Sequence, residues 1–276
     1  MQNIVVTGAT GFVGLNIMRS LQSMEIPVIP VVRTGKEHLV SGYNNISRII
    51  TTSDLFKESA HWWNRVFEDC EIIIHAAWYT NPFDYLNSPR NYECLSGTIT
   101  MARSASISGV KRVVGLGTCF EYDTKFGYLS TSTPLKPESL YAASKSSVFT
   151  ELTQLFDGVN IGFAWCRLFY LFGTGEHENR LYSHIHSRLK EKFEVRLTSG
   201  DQIRDFLPVE EAAEEIVRIA LSSKSGAFNV CSGSPVTVRE FAERIADEYG
   251  RRDLLKFNTR DFNYTDPEVI VGVKNT

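Results

Sequence analysis

Apolar runs rich in β-branched residues alternate with helix-like stretches along most of this chain of 276 residues. A run that is apolar at nearly every position is typical of a strand buried on both faces, as in a parallel sheet covered by helices. The alternation therefore predicts an α/β fold with a doubly wound parallel sheet. The predicted strands lie at residues 3–8, 27–32, 46–51, 71–77, 111–118 and 160–169, and the predicted helices at 12–24, 57–68, 91–108 and 141–156.

A glycine-rich turn, TGATGFVG at residues 7–14, joins the first predicted strand to the first predicted helix. Its three glycines allow a tight turn, a close approach of the backbone to phosphate, and close packing of the helix on the sheet. Because a strand precedes the turn and a helix follows it, the turn predicts a dinucleotide-binding site. The residues of this turn predicted to contact the cofactor are Gly8, Thr10, Gly11, Phe12 and Val13.

The end of the second predicted strand indicates which dinucleotide binds. NAD sites usually offer a carboxylate there to the ribose 2′-hydroxyl, whereas this chain has Arg33, followed closely by Lys36. Because a cation suits a 2′-phosphate, NADP is the expected cofactor, and NAD is the alternative. Further predicted cofactor contacts follow the third and fourth strands: Asp54, Leu55, Ala76 and Ala77.

The alternating pattern loosens in the last third of the chain, where helices are predicted at residues 209–222 and 238–249 and a strand at 226–233. No internal repeat or low-complexity linker separates this region from the rest. The sequence therefore predicts a dinucleotide-binding Rossmann domain over residues 1–166 and a smaller, interleaved substrate lobe over residues 167–276. Parts of that lobe are expected to return to the Rossmann domain.

Composition narrows the class of protein. The net charge of −3 and the pI near 6.1 argue against a dedicated nucleic-acid or membrane-surface binder. No apolar run is long enough for a membrane span, and the N-terminus lacks the pattern of a signal peptide, so a cytoplasmic protein is expected. The five cysteines are scattered and form no CxxC pair. We therefore expect reduced, buried thiols and no metal site.

The motif YAASK places Tyr141 and Lys145 four residues apart, on one face of a predicted helix. An unassisted tyrosine, with a pKa near ~10, is a poor acid or base at neutral pH, and a nearby cation favours its phenolate. The pair therefore predicts an acid/base group. Taken alone the motif is weak, because unrelated Tyr and Lys residues also occur at this spacing.

Further motifs make the pattern specific. The strand ending in GLGTCFEYD places Thr118 ahead of YAASK, and RDFLPVEEAAEEI (204–216) and FNVCSGSPVTVREFAERIA (228–246) follow. In this order the motifs resemble the extended short-chain dehydrogenase/reductase family, and particularly its nucleotide-sugar epimerases, dehydratases and ketoreductases. The resemblance implies that Tyr141 is the catalytic acid/base. It implies that Lys145 lowers the pKa of Tyr141 and holds the nicotinamide ribose, and that Thr118 hydrogen-bonds the substrate oxygen.

Departures from the family pattern reduce the number of reactions expected of this protein. The 4,6-dehydratases carry Asp-Glu directly after the catalytic threonine, where this chain has Cys119 and Phe120, so dehydration is not expected. Epimerase-reductases that resemble fucose synthase place a cysteine where Phe120 stands, although His184 falls near their histidine. Cys94 and Tyr170 replace two asparagines that are usual in the family. The resemblance therefore does not extend to double epimerisation, and Cys119 is expected to serve packing.

A nucleotide sugar, the expected substrate, carries a diphosphate that suits a guanidinium. Arg204 matches the arginine of the family's RDF motif, while Arg180 and Arg260 are weaker candidates. Phe83 and Trp78 are candidates for the wall of a sugar pocket. The predicted substrate-binding residues are Trp78, Thr118, Cys119, Phe120, Arg180 and Arg204.

The resemblance implies NADP-dependent reduction at C4 of a nucleotide-linked 4-keto-6-deoxyhexose. A nucleotide-sugar 4-epimerase uses the same catalytic residues and remains the alternative. A regulatory protein that senses NADP(H) is the non-enzymatic alternative, and the intact Thr118, Tyr141 and Lys145 argue against it. The chain ends at VIVGVKNT, earlier than relatives that continue into a final helix, so either that helix is dispensable or another subunit covers the gap; the second alternative implies a homodimer.

Overall fold

The computed structural model describes residues 3–260 and 266–275. The first half of the chain contains β1 (Asn3–Thr7), α1 (Phe12–Ser23), β2 (Val28–Arg33), β3 (Ile50–Thr52), α2 (Ala60–Val66), β4 (Cys70–His75), α3 (Arg90–Ala105), β5 (Arg112–Thr118) and β6 (Tyr128–Leu129). The second half contains α4 (Leu140–Phe156), β7 (Gly162–Leu168), β8 (Tyr170–Phe172), α5 (Leu181–Lys190), β9 (Val195–Arg196), β10 (Ile203–Pro208), α6 (Val209–Leu221), β11 (Gly226–Val230), β12 (Pro235–Thr237), α7 (Val238–Glu248), β13 (Leu255–Lys256) and β14 (Val269–Gly272).

The main sheet is parallel throughout, in the order β11-β7-β5-β4-β1-β2-β3. This arrangement confirms the predicted doubly wound α/β fold. The strand order reverses at β1, which pairs with β2 on one side and with β4 on the other. Ligands of such sheets bind in the crevice at the carboxyl ends of the strands beside this reversal. A ligand site is therefore expected at the edge of the sheet where β1, β4 and β5 end.

Helices cover both faces of this sheet and bury two separate cores. On one face, Ile4 and Val6 of β1 pack with residues of α1 and α6. On the other face, Val5 packs with residues of α2, α3 and α4. Successive residues of β1 thus point into opposite cores, which is why its sequence is apolar at every position rather than at alternate ones.

A second, mixed sheet has the order β12-β10-β14-β6, and β8 pairs with β10 beyond that path. Beside it, β9 and β13 pair, and α5 packs on α7 around Ile185, Leu189 and Phe241. These elements form the smaller lobe. The chain returns to the main sheet through β11 and α6. The predicted division after residue 166 stays a prediction, and β7 itself continues to Leu168.

Local capping explains where the predicted bounds and the observed ones differ. The helix predicted over residues 57–68 is shorter, because the Ser59 hydroxyl accepts the N–H of Trp62 and starts α2 at Ala60. A 3-10 turn, Leu55–Lys57, precedes it. The strand predicted over residues 46–51 is also shorter, since residue 46 forms only an isolated bridge and β3 begins at Ile50.

Over residues 3–260 and 266–275, no helix is both long enough and apolar enough to cross a membrane.

Helix α3 packs so closely on the turn Leu55–Lys57 that adding a methyl group at Gly97 should destabilise the fold. A Cβ at Gly97 would lie 2.5 Å from Phe56 Cα and 2.6 Å from Phe56 O. In an open helix the change Gly→Ala stabilises by about 1 kcal/mol, whereas overpacking costs about 1–3 kcal/mol. Because the clash is with backbone atoms of the turn, we expect a cost at the upper end of this range, less the helix gain: Gly97→Ala should lower the free energy of unfolding by about 2 kcal/mol in urea titrations.

The matched control is Gly42→Ala, because a Cβ at Gly42 meets nothing within 4 Å. Its free energy of unfolding should change by no more than about 0.5 kcal/mol. A Gly97→Ala variant as stable as the wild type would contradict this account of the packing between α3 and the turn.

Candidate active site

Thr118 and Tyr141 meet where β5 ends and α4 begins. The Ser139 hydroxyl accepts the N–H of Ala142, so α4 starts at Leu140 and carries Tyr141 in its first turn. The N–H of Tyr141 donates to the carbonyl of Leu86 at 2.9 Å, which ties the helix start to the loop before α3. Thr118, the last residue of β5, interacts through its hydroxyl with the phenol of Tyr141.

Aromatic rings enclose this phenol. The ring of Tyr141 stands edge-on to Tyr85, with centroids 5.0 Å apart, and to Trp78, with centroids 6.4 Å apart. Burial raises the pKa of Tyr141 above its usual value, and the neighbouring Tyr85 and Glu121 raise it further. Tyr141 therefore carries its proton at neutral pH and is able to donate it.

Lys145 lies one helical turn further along α4 and is buried. Its Nζ donates to the carbonyl of Leu116 at 2.6 Å and lies 3.9 Å from the centroid of the Trp78 ring. Nζ is 6.0 Å from the centroid of the Tyr141 ring. Burial lowers the pKa of Lys145 to about 7, although Cys94 and Glu121 raise it. Burial therefore makes the ammonium of Lys145 easier to deprotonate than that of an exposed lysine.

The glycine-rich turn fits a dinucleotide. Gly8 has φ +66°, and a Cβ there would lie 2.8 Å from the N of Ala77, so the turn packs tightly on the residues after β4. A Cβ at Gly14 would overlap the carbonyl of Gly8. Gly11 precedes α1 and supplies no side-chain cap, so the first N–H groups of the helix stay available to an anion. A pyrophosphate suits this cradle; Thr10, Phe12 and Val13 belong to the same turn and the start of α1, and their contact with the cofactor stays a prediction.

The other predicted cofactor residues lie along the same edge of the sheet. The N–H groups of Ala76 and Ala77 donate to the carbonyl and the hydroxyl of Thr7, which holds them beside the turn. Arg33 ends β2 and is exposed, and its guanidinium makes no hydrogen bond or ion pair with any other residue the structure describes.

Beyond β3, the carboxylate of Asp54 accepts the N–H of Phe56 and pairs with Lys57, while Leu55 is buried. Asp54 thus caps the turn Leu55–Lys57. Because its carboxylate is only partly enclosed, contact with an adenosine remains compatible with this capping role.

The residues after Thr118 do not supply a second acid/base pair. Cys119 is 2% exposed, and burial raises its pKa to about 12, so its thiol is inert and packs with Tyr122 and Phe169. Phe120 stands edge-on to Tyr170, with centroids 6.2 Å apart. The five cysteines are all free and buried. Among the residues described, no cluster of three or more His, Cys, Asp or Glu side chains could hold a metal ion.

The two arginines predicted to bind phosphate, Arg180 and Arg204, differ in their partners. Arg204 is 3% exposed, and its Nη2 lies 2.7 Å from Oδ2 of Asp266 while its guanidinium faces the ring of Tyr170. The guanidinium of Arg180 makes no hydrogen bond or ion pair within residues 3–260 and 266–275, and it lies 5.2 Å from the ring of Tyr85. Tyr85 also contacts Tyr141. Of these two arginines, Arg180 is therefore the one whose guanidinium is not already paired with a carboxylate among the described residues.

The other sequence candidates lie further out. Phe83 is 74% exposed and stands edge-on to His177. Arg260 is exposed. His184 lies in α5, half-buried, and burial lowers its pKa. None of these three has a contact with Thr118, Tyr141 or Lys145 among the described residues.

Sequence reasoning overlooked a buried carboxylate directly beneath Thr118. Oε1 of Glu121 accepts the backbone N–H of Thr118 at 2.8 Å, and the carboxylate also accepts the indole N–H of Trp165 and the Nε–H of Arg167. Glu121 is 0% exposed and Arg167 is 1% exposed. The available signal was a charged residue in each of two otherwise apolar segments, GTCFEY and AWCRLF.

A buried histidine was overlooked as well. His75, at the end of β4, lies between the hydroxyls of Thr7, at 2.8 Å, and of Thr98, at 3.0 Å. Burial lowers the pKa of His75 to about 3, so the ring is neutral. It joins β1 and β4 to α3 beneath the glycine-rich turn.

Known proteins share both the sequence pattern and the fold. Over 287 aligned positions the chain is 24% identical to dTDP-6-deoxy-L-talose 4-dehydrogenase (NAD(+)) of Aggregatibacter actinomycetemcomitans, with 99% of this chain and 100% of that enzyme covered. The UDP-N-acetylglucosamine 4-epimerase of Methanobrevibacter ruminantium M1 superposes with a TM-score of 0.87 at 21% identity, covering 99% of this chain and 89% of that one.

The dTDP-glucose 4,6-dehydratase of Streptomyces venezuelae, solved with NAD bound, superposes with a TM-score of 0.84 at 20% identity, covering 99% of this chain and 88% of that one. These two superpositions show a common fold. The sequence profile of the NAD dependent epimerase/dehydratase family matches residues 4–231, which is most of the chain and includes both the glycine-rich turn and YAASK. This protein therefore belongs to the NAD dependent epimerase/dehydratase family, as the resemblance to extended short-chain dehydrogenases/reductases implied.

Proposed function

We propose that this protein reduces the C4 ketone of a nucleotide-linked 4-keto-6-deoxyhexose, with a nicotinamide dinucleotide as the reductant. The observation that carries the proposal is the constellation of Thr118, protonated Tyr141 and Lys145 beside the glycine-rich turn, with no carboxylate at positions 119 and 120. The full-length similarity to an enzyme named as a 6-deoxy-L-talose 4-dehydrogenase supports both the reacting carbon and the 6-deoxy sugar.

The chemistry requires one hydride and one proton. A nicotinamide bound in this site supplies the hydride to C4, and the oxygen on C4 then becomes an alkoxide that needs a proton. Tyr141 is protonated and donates its phenolic proton to that oxygen. Thr118 donates a hydrogen bond to the same oxygen as negative charge develops on it. The ammonium of Lys145, on the same helix face, stabilises the phenolate that Tyr141 becomes.

Elimination of water or inversion at two carbons needs further proton-transfer groups. Cys119 is buried with a raised pKa, and Phe120 has no proton to transfer. The residues around Tyr141 are instead aromatic, namely Trp78 and Tyr85. Such a wall suits the apolar face of a deoxysugar and its C6 methyl group. The guanidinium of Arg180, which lies 5.2 Å from the centroid of the Tyr85 ring, supports a role for Arg180 in binding the diphosphate.

A nucleotide-sugar 4-epimerase needs the same three catalytic residues and is the second candidate. The Methanobrevibacter epimerase shares the overall fold of this protein. Reduction and epimerisation differ in what becomes of the cofactor, since an epimerase restores it within each cycle while a reductase releases it oxidised. The predicted homodimer and the predicted cytoplasmic location stay predictions.

The stoichiometry of the reaction tests the proposal directly. We expect one reduced nicotinamide to be consumed per sugar when the protein is incubated with nucleotide-linked 4-keto-6-deoxyhexoses, with C4 becoming a carbinol. The measurement is the fall in absorbance of the reduced cofactor together with NMR of the sugar product. Interconversion of C4 stereoisomers without net cofactor consumption would instead establish the epimerase.

Removing the phenolic proton donor should abolish the chemistry and spare binding. We expect Tyr141→Phe to lower kcat by about 10²–10⁴-fold, the usual contribution of general acid–base catalysis. Cofactor affinity, measured by fluorescence titration, should stay within a few-fold of wild type, because the glycine-rich turn holds the dinucleotide. The control is Tyr128→Phe, since Tyr128 is 56% exposed in β6. Near-wild-type turnover by Tyr141→Phe would refute the assigned role of Tyr141.

Arg33 supports NADP as the preferred cofactor, because its guanidinium is exposed and unpaired with other described residues at the end of β2. A charge-assisted hydrogen bond contributes about 1.5–3 kcal/mol. We therefore expect Arg33→Asp to lower kcat/KM for NADPH by about 10–100-fold relative to NADH. Arg196→Asp, at an exposed position in β9, is the control for the change in net charge. A wild-type preference for NADH, which the name of the Aggregatibacter enzyme suggests for that protein, would reject NADP.

A further inference from the structure

We propose that Glu121 is a positioning residue for this reaction: its carboxylate holds the main chain of Thr118 and so directs the Thr118 hydroxyl at the reacting oxygen. The inference rests on the proposed function, in which Thr118 donates to the C4 oxygen. Glu121 touches neither substrate nor cofactor in this role and acts through Thr118.

Two hydrogen bonds fix Thr118, one at its backbone N–H and one at its hydroxyl. Oε1 of Glu121 accepts the backbone N–H of Thr118 at 2.8 Å, and Oγ1 of Thr118 accepts the N–H of Phe120 at 3.3 Å. Together they form a capping box at the 3-10 turn Cys119–Glu121. A hydroxyl has one proton and two lone pairs, so accepting the N–H of Phe120 leaves the proton of Thr118 to be donated; the phenol of Tyr141 and the thiol of Cys119 are its protein neighbours.

The carboxylate of Glu121 is itself immobilised by neighbours on β7. Nε of Arg167 donates to Oε2 at 2.8 Å, and Nε1 of Trp165 donates to both oxygens at 3.0 and 3.1 Å. The indole of Trp165 lies across β5, where a Cβ at Gly117 would overlap it. Since β5 and β7 are neighbouring strands, with Gly117 opposite Arg167, Glu121 locks the end of β5 to β7.

The far end of this polar network has no contact with Thr118. Nη1 of Arg167 donates to the hydroxyl of Tyr122, which donates to Oδ1 of Asn229 at 2.7 Å. Asn229 then donates to the carbonyls of Leu129 and Val273. This end joins β6 and β11 and serves stability. Tyr122→Phe therefore disturbs the same buried network without removing the acceptor of Thr118.

A matched pair of double variants isolates the acceptor. Replacing Glu121 alone by an apolar residue would leave Arg167 charged and unpaired in the interior, which is strongly destabilising. Arg167→Met is therefore combined with either Glu121→Gln or Glu121→Leu. Both pairs lack the two charges, and only the glutamine retains an oxygen that accepts the N–H of Thr118.

We expect Glu121→Leu/Arg167→Met to lower kcat by about 10–100-fold, the size of effect that misplacing a catalytic group produces. KM and Kd for the cofactor should change by less than about threefold, since the glycine-rich turn is separate. Glu121→Gln/Arg167→Met should recover most of kcat, and Tyr122→Phe should keep it despite a lower Tm. Equal kcat in the two double variants, or an equal loss in Tyr122→Phe, would overturn the inference.

A second readout does not depend on turnover. With ¹⁵N-threonine labelling, the amide proton of Thr118 should resonate downfield and exchange slowly in the wild type and in the glutamine variant, and should move upfield in the leucine variant. An unmoved Thr118 amide would overturn the inference even if the wild type reduces the sugar. Conversely, absence of reductase activity in the wild type would reject the proposed function, while the amide measurement would still decide whether Glu121 holds Thr118.

Discussion

The parallel direction of the strands in the main sheet is the constraint on which the rest of this protein depends. Because every strand runs the same way, the carboxyl ends of β1, β4 and β5 lie along a single edge. Residues far apart in sequence thereby become neighbours, so that the glycine-rich turn packs on Ala77 and Thr118 reaches Tyr141. Crossover helices also cover both faces, which keeps this edge as the place where polar groups converge.

Beneath that edge, a buried side chain rather than water is the hydrogen-bond partner of the Thr118 backbone N–H. Glu121 and Arg167 are almost fully enclosed, and removing either alone would leave an unpaired charge in the interior. Such a pair adds little net stability compared with apolar residues of similar volume. Its effect here is to fix orientation, because the Glu121 carboxylate accepts hydrogen bonds from Thr118, Trp165 and Arg167 at once.

The electrostatics of the site follow from burial. Burial raises the pKa of Tyr141 and lowers the pKa of Lys145 to about 7, because both charged forms lose water. A protonated phenol beside an ammonium of reduced pKa suits the delivery of a proton to a new alkoxide. The aromatic side chains Trp78 and Tyr85 produce this low-polarity environment and also shape the sugar pocket that we propose.

Local sequence signals determined the class of fold and the candidate catalytic residues. Apolar runs report strands buried on both faces, glycine spacing reports the turn, and the separation of Tyr141 from Lys145 reports a shared helix face; each signal spans only a few neighbouring residues. Partnerships between distant residues were decided by the tertiary structure alone. Glu121 meets Arg167 across 46 positions, and Arg204 is engaged by Asp266 across 62. No local pattern encodes such pairs, since they form only when strand register and the packing of the two lobes bring the side chains together.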